Sequence, residues 1–287
     1  MKITNTHNLP QSIVNALTYG QRKPLPDRMS VTDLIAPPQI RQLKIQYWDY
    51  LSEDVSDRLW LLLGKAVHVV LEHGAPEGSE AEQKLTTEMG GFTLVCISDL
   101  LHGTELADYK ITSVYSFLLN NNKAKDEWAQ QLNCNAYILA RNGRTVESLK
   151  IHAILRDWKQ SEAIKAVLTG DYPPIPFQSI SVPLWTLEGQ ERYIKARLEA
   201  HKALNPQCST EERWLRGEKW AVYKNNNKKA FKLFDTEEEA QKLIAAVGPD
   251  ETLRLEYRQG SYNRCKQFCI VSDYCPQWQA EKEKNQC

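Results

Sequence analysis

The clearest hydrophobic pattern in the chain runs from Asp54 to Glu72, where apolar residues recur at helical spacing. The residues that carry the pattern are Leu59, Leu62, Leu63, Ala66, Val67, Val70 and Leu71. This period predicts an amphipathic helix over the stretch. Gly64 and His68 lie one turn apart on the same side of it. Because glycine inside a helix costs about 1 kcal/mol relative to alanine, the pattern indicates a close approach to the backbone at Gly64, near the imidazole.

After this helix the pattern changes to that of strands. A short helix is expected to carry Glu82, and two strands follow, joined by a turn at Gly90-Gly91. The second of these strands, residues 92–100, is almost wholly apolar until it ends in an acid. A third strand covers residues 106–112 and alternates its side chains between two faces.

The remaining elements set the fold class and the domain boundaries. Further predicted elements are a helix at 128–140, strands at 146–155 and 180–185, a charged helix at 188–204, a hairpin at 220–234 and a helix at 235–246. The order helix, three strands, helix, strand predicts an α/β fold with a central mixed sheet flanked by helices. We expect a loosely ordered arm over 1–28, the α/β core over 29–205, and a C-terminal cysteine module over 206–287. The hairpin and its helix form an α+β insertion in this module, at about 217–258.

Composition narrows the class of protein. The chain has 287 residues, 42% of them hydrophobic and 25% charged, as in an ordinary globular protein. Lysine and arginine together number 36, as do aspartate and glutamate, so any surface for nucleic acid must be local. The best basic patch is the hairpin tip with Lys224, Lys228 and Lys229. The chain has neither an apolar run of about 20 residues nor a signal-peptide core, so we expect a cytoplasmic protein.

The candidate functional groups are the carboxylates of Glu82, Asp99 and Asp108, the imidazole of His68 and the ammonium of Lys110. Asp99 and Asp108 fall at nearby points of adjacent strands and are placed to share a Mg²⁺ or Mn²⁺ ion. The Tyr109 carbonyl is a further oxygen ligand, and His68 is a ligand from the helix. Lys110 shares a face with Asp108 and is placed to orient water or offset charge on a phosphate. A lone Asp-x-Lys is usually a solvated ion pair, so these residues alone leave both interpretations open.

The cysteines suggest a second metal centre. Cys265, Cys269 and Cys275 form a tight cluster, and Cys208 lies before the hairpin. Structural zinc usually takes close pairs of ligands, whereas uneven spacing better suits an iron–sulfur cluster. Both metals remain open. The other cysteines are Cys96 and Cys134, expected to be buried, and Cys287, expected to lie on a free tail.

Residues 30–160 resemble the RecB-like branch of the PD-(D/E)XK nuclease superfamily. The resemblance lies in a helix with Gly64-x-x-x-His68, the acid Asp99 closing an apolar strand, Asp108-x-Lys110 in the next strand, and a later helix with Gln131. It implies a restriction-endonuclease-like αβββαβ core that cleaves DNA with a divalent metal.

The same resemblance implies a role for each matching residue. His68, Asp99 and Asp108 would be metal ligands and Lys110 catalytic, with Gln131 a support near the scissile phosphate. Glu82 resembles an upstream acid of some members. The chain also departs from the family pattern. Cys96 stands where many relatives have glycine, and Asn135 stands where a tyrosine often follows the glutamine, which puts the role of Gln131 in doubt.

Members of the AddB type and their CRISPR-associated relatives carry a [4Fe–4S] cluster. Three of its cysteines lie after the nuclease core and the fourth lies before it. Since residues 30–43 hold no cysteine, the resemblance makes Cys208 the fourth ligand, closer to phage-encoded members. It implies an exonuclease of recombination, repair or DNA processing in a bacterial host or phage-infected cell. Its expected partners are DNA and a recombinase, a helicase or a single-strand annealing protein.

Two other functions fit the same residues. One is a DNA-binding module that kept the fold and the cysteine cluster but cleaves weakly or not at all. The other is an interaction protein stabilised by Zn²⁺.

Overall fold

The computed structural model describes residues 1–119, 123–225, 227–246 and 252–284. It divides into two compact units, Met1–Pro206 and Gln207–Cys287. The predicted tail cysteine Cys287, and Asn226 of the hairpin tip, lie outside the described residues. Among the described residues, no helix combines the length and the apolar character needed to cross a bilayer.

The first unit is a mixed α/β structure. Its strands are β1 (Lys2–Thr4), β2 (Arg28–Ser30), β3 (Ser52–Asp54), β4 (Glu80–Met89), β5 (Phe92–His102), β6 (Glu105–Thr112), β7 (Ser148–Leu155) and β8 (Phe177–Val182). Its helices are α1 (Gln11–Thr18), α2 (Val31–Ile35), α3 (Pro38–Tyr47), α4 (Leu59–His73), α5 (Val114–Leu119), α6 (Asp126–Arg141), α7 (Gln160–Lys165) and α8 (Leu187–Lys202).

Six strands form the central sheet, in the order β2-β5-β6-β7-β8 with β4 paired to β5. Strands β4, β5 and β6 are antiparallel neighbours, and β6 and β7 are parallel. The sheet is therefore mixed, as predicted. A parallel pair needs a crossover connection, and here α5 and α6 supply it.

Helix α6 is the centre of the core. Its residues Leu132, Ala136 and Leu139 pack with Leu149 and Ile151 of β7. A second side of α6 packs in another cluster with β5 and α8. That cluster contains Cys96, Cys134, Tyr137, Ile138 and Ile194. Cys96 and Cys134 are each 1% exposed, which confirms their predicted burial.

Three local expectations differ from the structure. The arm at 1–28 contains α1 and a strand, β1, that pairs in parallel with β3. This pairing joins distant segments and leaves no period in the sequence. Glu82 lies in β4 rather than in a short helix, because β4 pairs with β5 along its length. Helix α4 begins at Leu59 rather than Asp54, because the Asp54 side chain accepts a hydrogen bond from Ser56 N (3.0 Å) and starts a separate short turn.

The second unit holds a small sheet within a cysteine-bearing frame. Its strands are β9 (Leu215–Arg216), β10 (Lys219–Lys224), β11 (Lys232–Phe234), β12 (Leu253–Arg258) and β13 (Ser261–Tyr262), and its helices are α9 (Glu237–Ala246) and α10 (Pro276–Lys284). Strands β11, β10 and β12 form the sheet on which α9 packs.

Strands β9 and β13, which precede β10 and follow β12 in the chain, form a separate short antiparallel pair. Gly260 comes directly before β13, where an added Cβ would meet the Leu215 side chain at 2.6 Å and the Arg216 carbonyl at 3.1 Å. The close approach therefore requires glycine. The pairing brings the segment after Cys208 next to the segment before Cys265.

Candidate active site and cysteine centre

Three acids lie in one row across the central sheet. The register of β4 and β5 places Glu82 opposite Asp99, between the paired positions on either side. The register of β5 and β6 ends at the pair Leu100–Ala107, so the next position brings Asp99 opposite Asp108. Cross-strand neighbours have side chains on the same face. The sheet therefore gathers three carboxylates from three strands.

Glu82 has an unusual backbone for a strand residue. Its φ of 49° lies in the left-handed region, which a residue with a side chain enters at a cost. Its carboxylate Oε1 lies 3.3 Å from His68 Nδ1. The strained backbone thus accompanies a side chain directed at the imidazole.

His68 contributes the nitrogen of the site from α4. Its Nδ1 lies 3.5 Å from Asp99 Oδ2 as well as close to Glu82. Ligand atoms of these three residues all lie within 4.8 Å of one another. At Gly64, one turn before the histidine, an added Cβ would meet no described atom within 4 Å. Packing against the described residues therefore does not account for the glycine.

Asp99 is partly buried, at the point where the pairing of β5 and β6 ends. Its Oδ2 accepts a hydrogen bond from the backbone N–H of Tyr109 at 2.8 Å. The Asp99 side chain thus takes the place of a backbone carbonyl as the partner of this N–H. Burial and the neighbouring Asp108 carboxylate raise the pKa of Asp99 well above its ordinary value, against the opposing effects of His68, the Tyr109 N–H and Lys110. A cation at this point would relieve the repulsion between the two carboxylates.

Asp108, Lys110 and Gln131 form a closed triangle beside the row of acids. Lys110 Nζ lies 2.8 Å from Asp108 Oδ2 and donates a hydrogen bond of 3.1 Å to Gln131 Oε1. Gln131 Nε2 donates in turn to Asp108 Oδ1 at 3.2 Å. Asp108 is only 2% exposed. Two groups on different elements therefore hold the ammonium in one place.

The donor set fits a hard divalent cation. In octahedral Mg²⁺ or Mn²⁺ coordination, adjacent ligand atoms lie about 3 Å apart. The distances from His68 Nδ1 to Glu82 (3.3 Å) and to Asp99 (3.5 Å) are close to this value. Glu82, expected as a further ligand, is thus in the compact group, whereas Asp108 is engaged by Lys110. The group consists of side-chain atoms only, so the Tyr109 carbonyl stays a predicted ligand.

The four described cysteines of the C-terminal unit converge. No described cysteine forms a disulfide. Burial, the Glu212 carboxylate and the thiols of Cys275, Cys265 and Cys269 raise the pKa of Cys208 to about 12. Four thiols that influence one another in this way lie within electrostatic reach around a shared volume.

The spacing of these sulfur atoms bears on the choice of metal. Thiolates of a tetrahedral zinc site lie about 3.8 Å apart, given a Zn–S distance of about 2.3 Å. Among the described residues, no three cysteine sulfurs lie within 4.8 Å of one another. The described sulfur positions therefore do not form the compact group of a tetrahedral zinc site.

Two residues that the sequence did not single out hold this centre together. The Gln277 side-chain amide joins both backbone groups of Cys208, with bonds of 3.0 and 2.9 Å. The Arg213 guanidinium lies near the Cys265 thiol, which helps to raise the pKa of Arg213, and it donates a hydrogen bond to Glu281 (3.1 Å). Neither residue has a spacing relative to the cysteines that sequence reasoning would recognise, because each acts through tertiary contact.

The basic hairpin tip lies in the same unit. Lys228 and Lys229 are exposed between β10 and β11. Lys224, at the end of β10, is half-buried and lies over the Phe231 ring at 5.9 Å. In the first unit, Asn135 is 2% exposed, so it packs in the core and leaves Gln131 as the residue of α6 that reaches Lys110.

Comparison with known proteins gives limited guidance. No protein-family model and no curated protein matches the chain. The solved structures that it resembles include SSO0001, with a TM-score of 0.44, 14% identity, and coverage of 68% of this chain and 84% of the other. They also include the alkaline exonuclease LHK-Exo from Laribacter hongkongensis, with a TM-score of 0.36, 13% identity, and coverage of 61% and 88%. Likenesses at this level do not assign the chain to a family.

Proposed function

We propose that this chain is a Mg²⁺- or Mn²⁺-dependent deoxyribonuclease that hydrolyses DNA phosphodiesters. The observation that carries the proposal is the row of Glu82, Asp99 and Asp108, with His68 at one end and Lys110 at the other. A partly buried row of acids is costly unless a cation or a proton neutralises it. A divalent cation beside a fixed ammonium supplies the positive charge that phosphodiester cleavage requires at the phosphate.

Each residue of the site has its own proposed role. His68, Glu82 and Asp99 would hold the metal, with Asp108 and the Tyr109 carbonyl as further ligands once substrate is bound. A bound Mg²⁺ or Mn²⁺ would position the phosphate and lower the pKa of a water molecule. Lys110 would donate to a phosphate oxygen or to the attacking water, while Asp108 and Gln131 keep its ammonium in place.

The choice of DNA and of exonuclease action follows the resemblance of the motif to RecB-like nucleases. That resemblance, with Gly64, His68, Asp99, Asp108, Lys110 and Gln131 in order, suggests a role in recombination, repair or DNA processing. A recombinase, helicase or annealing protein is then the partner to seek.

Glu82→Gln tests the metal site. We expect it to weaken Mn²⁺ binding roughly 10- to 100-fold and to lower cleavage of end-labelled DNA at limiting Mn²⁺, because an amide cannot replace the carboxylate charge. Calorimetric titration of Mn²⁺ and a product ladder measure the two effects, and the ladder also gives the direction of cleavage.

Glu88→Gln is the matched control, since Glu88 lies in the same strand, is exposed, and is not among the grouped ligands. Equal Mn²⁺ affinity in the two variants would remove Glu82 from the site. DNA binding by the wild-type chain without any metal-dependent cleavage would instead favour the non-cleaving DNA-binding module.

We further propose that Cys208, Cys265, Cys269 and Cys275 bind a [4Fe–4S] cluster with a structural role. The converging thiols, the uneven spacing of the clustered cysteines along the chain and the lack, among the described cysteines, of three sulfurs within 4.8 Å of one another support this assignment over zinc. The Gln277 clamp and the Arg213 contact would fix two of the ligands before the cluster binds.

Lys228 and Lys229 are proposed to contact the DNA backbone, with Lys224 beside them. The slope of log K for DNA binding against log[salt] is negative. Replacing both Lys228 and Lys229 with alanine should make it less steep by about 2, since each phosphate contact contributes about 0.9. Fluorescence anisotropy at several salt concentrations measures the slope. Lys242→Ala, on the neighbouring α9, is the control, and an unchanged slope in the double variant would place the tip outside the interface.

A further inference from the structure

Helix α4 presents an apolar stripe to solvent. None of its fifteen residues, all within the described part of the chain, is buried. The α4 stripe consists of Leu59, Leu62, Leu63, Ala66, Val69 and Val70. Val70 is 68% exposed and Val69 53% exposed. Such spacing normally marks the side of a helix that faces a core.

The stripe points away from the candidate active site. Ala66 and His68 are two residues apart, which turns a helix by about 200°. His68 reaches the acids of the sheet, so the stripe occupies the opposite side. The exposed apolar surface therefore plays no part in the metal site and needs its own explanation.

The size of the exposed surface matches a protein interface. Tyr19, which is 84% exposed, adjoins the α4 stripe. Trp60 lies about 100° round the helix from Leu59 and has Arg156 over its ring at 4.2 Å, so it is not part of the stripe. Lys65 Nζ contacts the Tyr19 carbonyl at 3.3 Å, which places Tyr19 beside the helix. Together the stripe and Tyr19 expose on the order of 600 Å² of largely apolar area, at the upper end of the usual patch on a monomer and at the lower end of the ~600–1,000 Å² that each partner of a stable complex buries.

The stripe is symmetric about Ala66. Leu62 and Leu63 precede this alanine by four and three residues, and Val69 and Val70 follow it by three and four. A two-fold axis at Ala66 would place the leucines of one helix on the valines of an antiparallel copy. The small side chain at the centre lets two helices approach to about 8 Å. A patch that complements itself is what an isologous dimer requires.

From this symmetry and area, we propose that two copies of this chain pair through the α4 stripe. The formal net charge of zero places no overall repulsion between the copies. A membrane surface is a poorer occupant, because an interfacial helix is rich in basic residues and α4 holds one lysine and no arginine. The proposal does not depend on the nuclease assignment.

Light scattering and sedimentation of the full chain test the pairing. The wild-type chain should show twice the chain mass of 33.0 kDa at micromolar concentration. Val70→Glu should shift it to the monomer and weaken self-association at least tenfold, because the interface would bury two carboxylates. Leu204→Glu is the matched control, since Leu204 is 93% exposed outside the stripe. It should remain dimeric, with the same circular dichroism.

A second measurement tests the pairing without a charged substitution, so that misfolding of Val70→Glu does not decide the result. Ala66→Cys should form a disulfide-linked dimer under mild oxidation, because the two-fold axis brings the two positions together, whereas Leu204→Cys should not. A wild-type chain that stays monomeric at 100 µM (about a hundredfold above the working range) overturns the proposal. A dimer that Val70→Glu leaves intact, or a monomer that binds neutral vesicles through α4, overturns it as well.

Discussion

Replacing Lys110 with alanine is expected to lower DNA cleavage about 100- to 1,000-fold, the usual effect of removing one charge-stabilising donor. Affinity for Mn²⁺ should stay near that of the wild-type chain. The reason is geometric: the compact ligand group contains His68, Glu82 and Asp99, whereas Lys110 contacts Asp108 and Gln131. A loss of cleavage with metal binding retained separates chemistry from metal binding.

The variant also removes the cation beside a buried carboxylate. Asp108 is 2% exposed, and breaking a buried pair leaves an uncompensated charge. Thermal unfolding of Lys110→Ala must therefore be followed alongside cleavage, with added Mn²⁺ expected to restore part of any lost stability by binding the native state. Lys84→Ala is the control, because Lys84 is exposed on β4 of the same sheet. Wild-type cleavage by Lys110→Ala would exclude the proposed role.

Lys110→Arg adds a second comparison. Arginine keeps the positive charge beside Asp108, so stability should stay close to that of the wild-type chain. Its planar head does not reproduce the position of the ammonium between Asp108 and Gln131. Cleavage should therefore fall although the fold is preserved, which a purely structural ion pair would not predict.

Much of the sheet follows from short-range patterns. The Gly90-Gly91 turn between two strands is confirmed, with φ values of 59° and 81° that suit glycine. The alternation in β6 correctly puts Asp108 and Lys110 on one face. Once β5 and β6 are antiparallel neighbours, Asp99 must lie near Asp108. Local pattern and hairpin geometry were enough to bring these residues together.

Other features depend on tertiary contacts that leave no periodic pattern in the sequence. Strand β4 is polar along most of its length, so Glu82 carried no strand signal, and its left-handed backbone could not be expected from a glutamate. The helical period of α4 predicted the helix but not that its apolar side faces solvent. Gln131 reaches Lys110 although Asn135 departs from the family pattern, because one turn of α6 overlies the end of β6.

Replacing Cys208 with serine is expected to have the second large effect, on the C-terminal unit. Cys208 lies before the inserted sheet, and Cys265, Cys269 and Cys275 lie after it. A cluster that joins them closes a long loop, and such a link contributes about 2–4 kcal/mol by the loop-closure argument. In a unit of this size that corresponds to roughly 10 °C or more in melting temperature.

The measurement uses anaerobically purified protein and follows iron content, visible absorbance and melting together. Wild-type protein should hold about four iron atoms per chain, and Cys208→Ser should lose most of the iron and the absorbance along with the stability. Cys134→Ala is the control: it removes one thiol from the core of the first unit, so it should lower stability while iron is retained. Stoichiometric zinc in the wild-type chain would overturn the cluster assignment. Unchanged melting in Cys208→Ser would show that Cys208 does not link the two ends of the insertion, since a ligand that closes this loop cannot be lost without a change in stability.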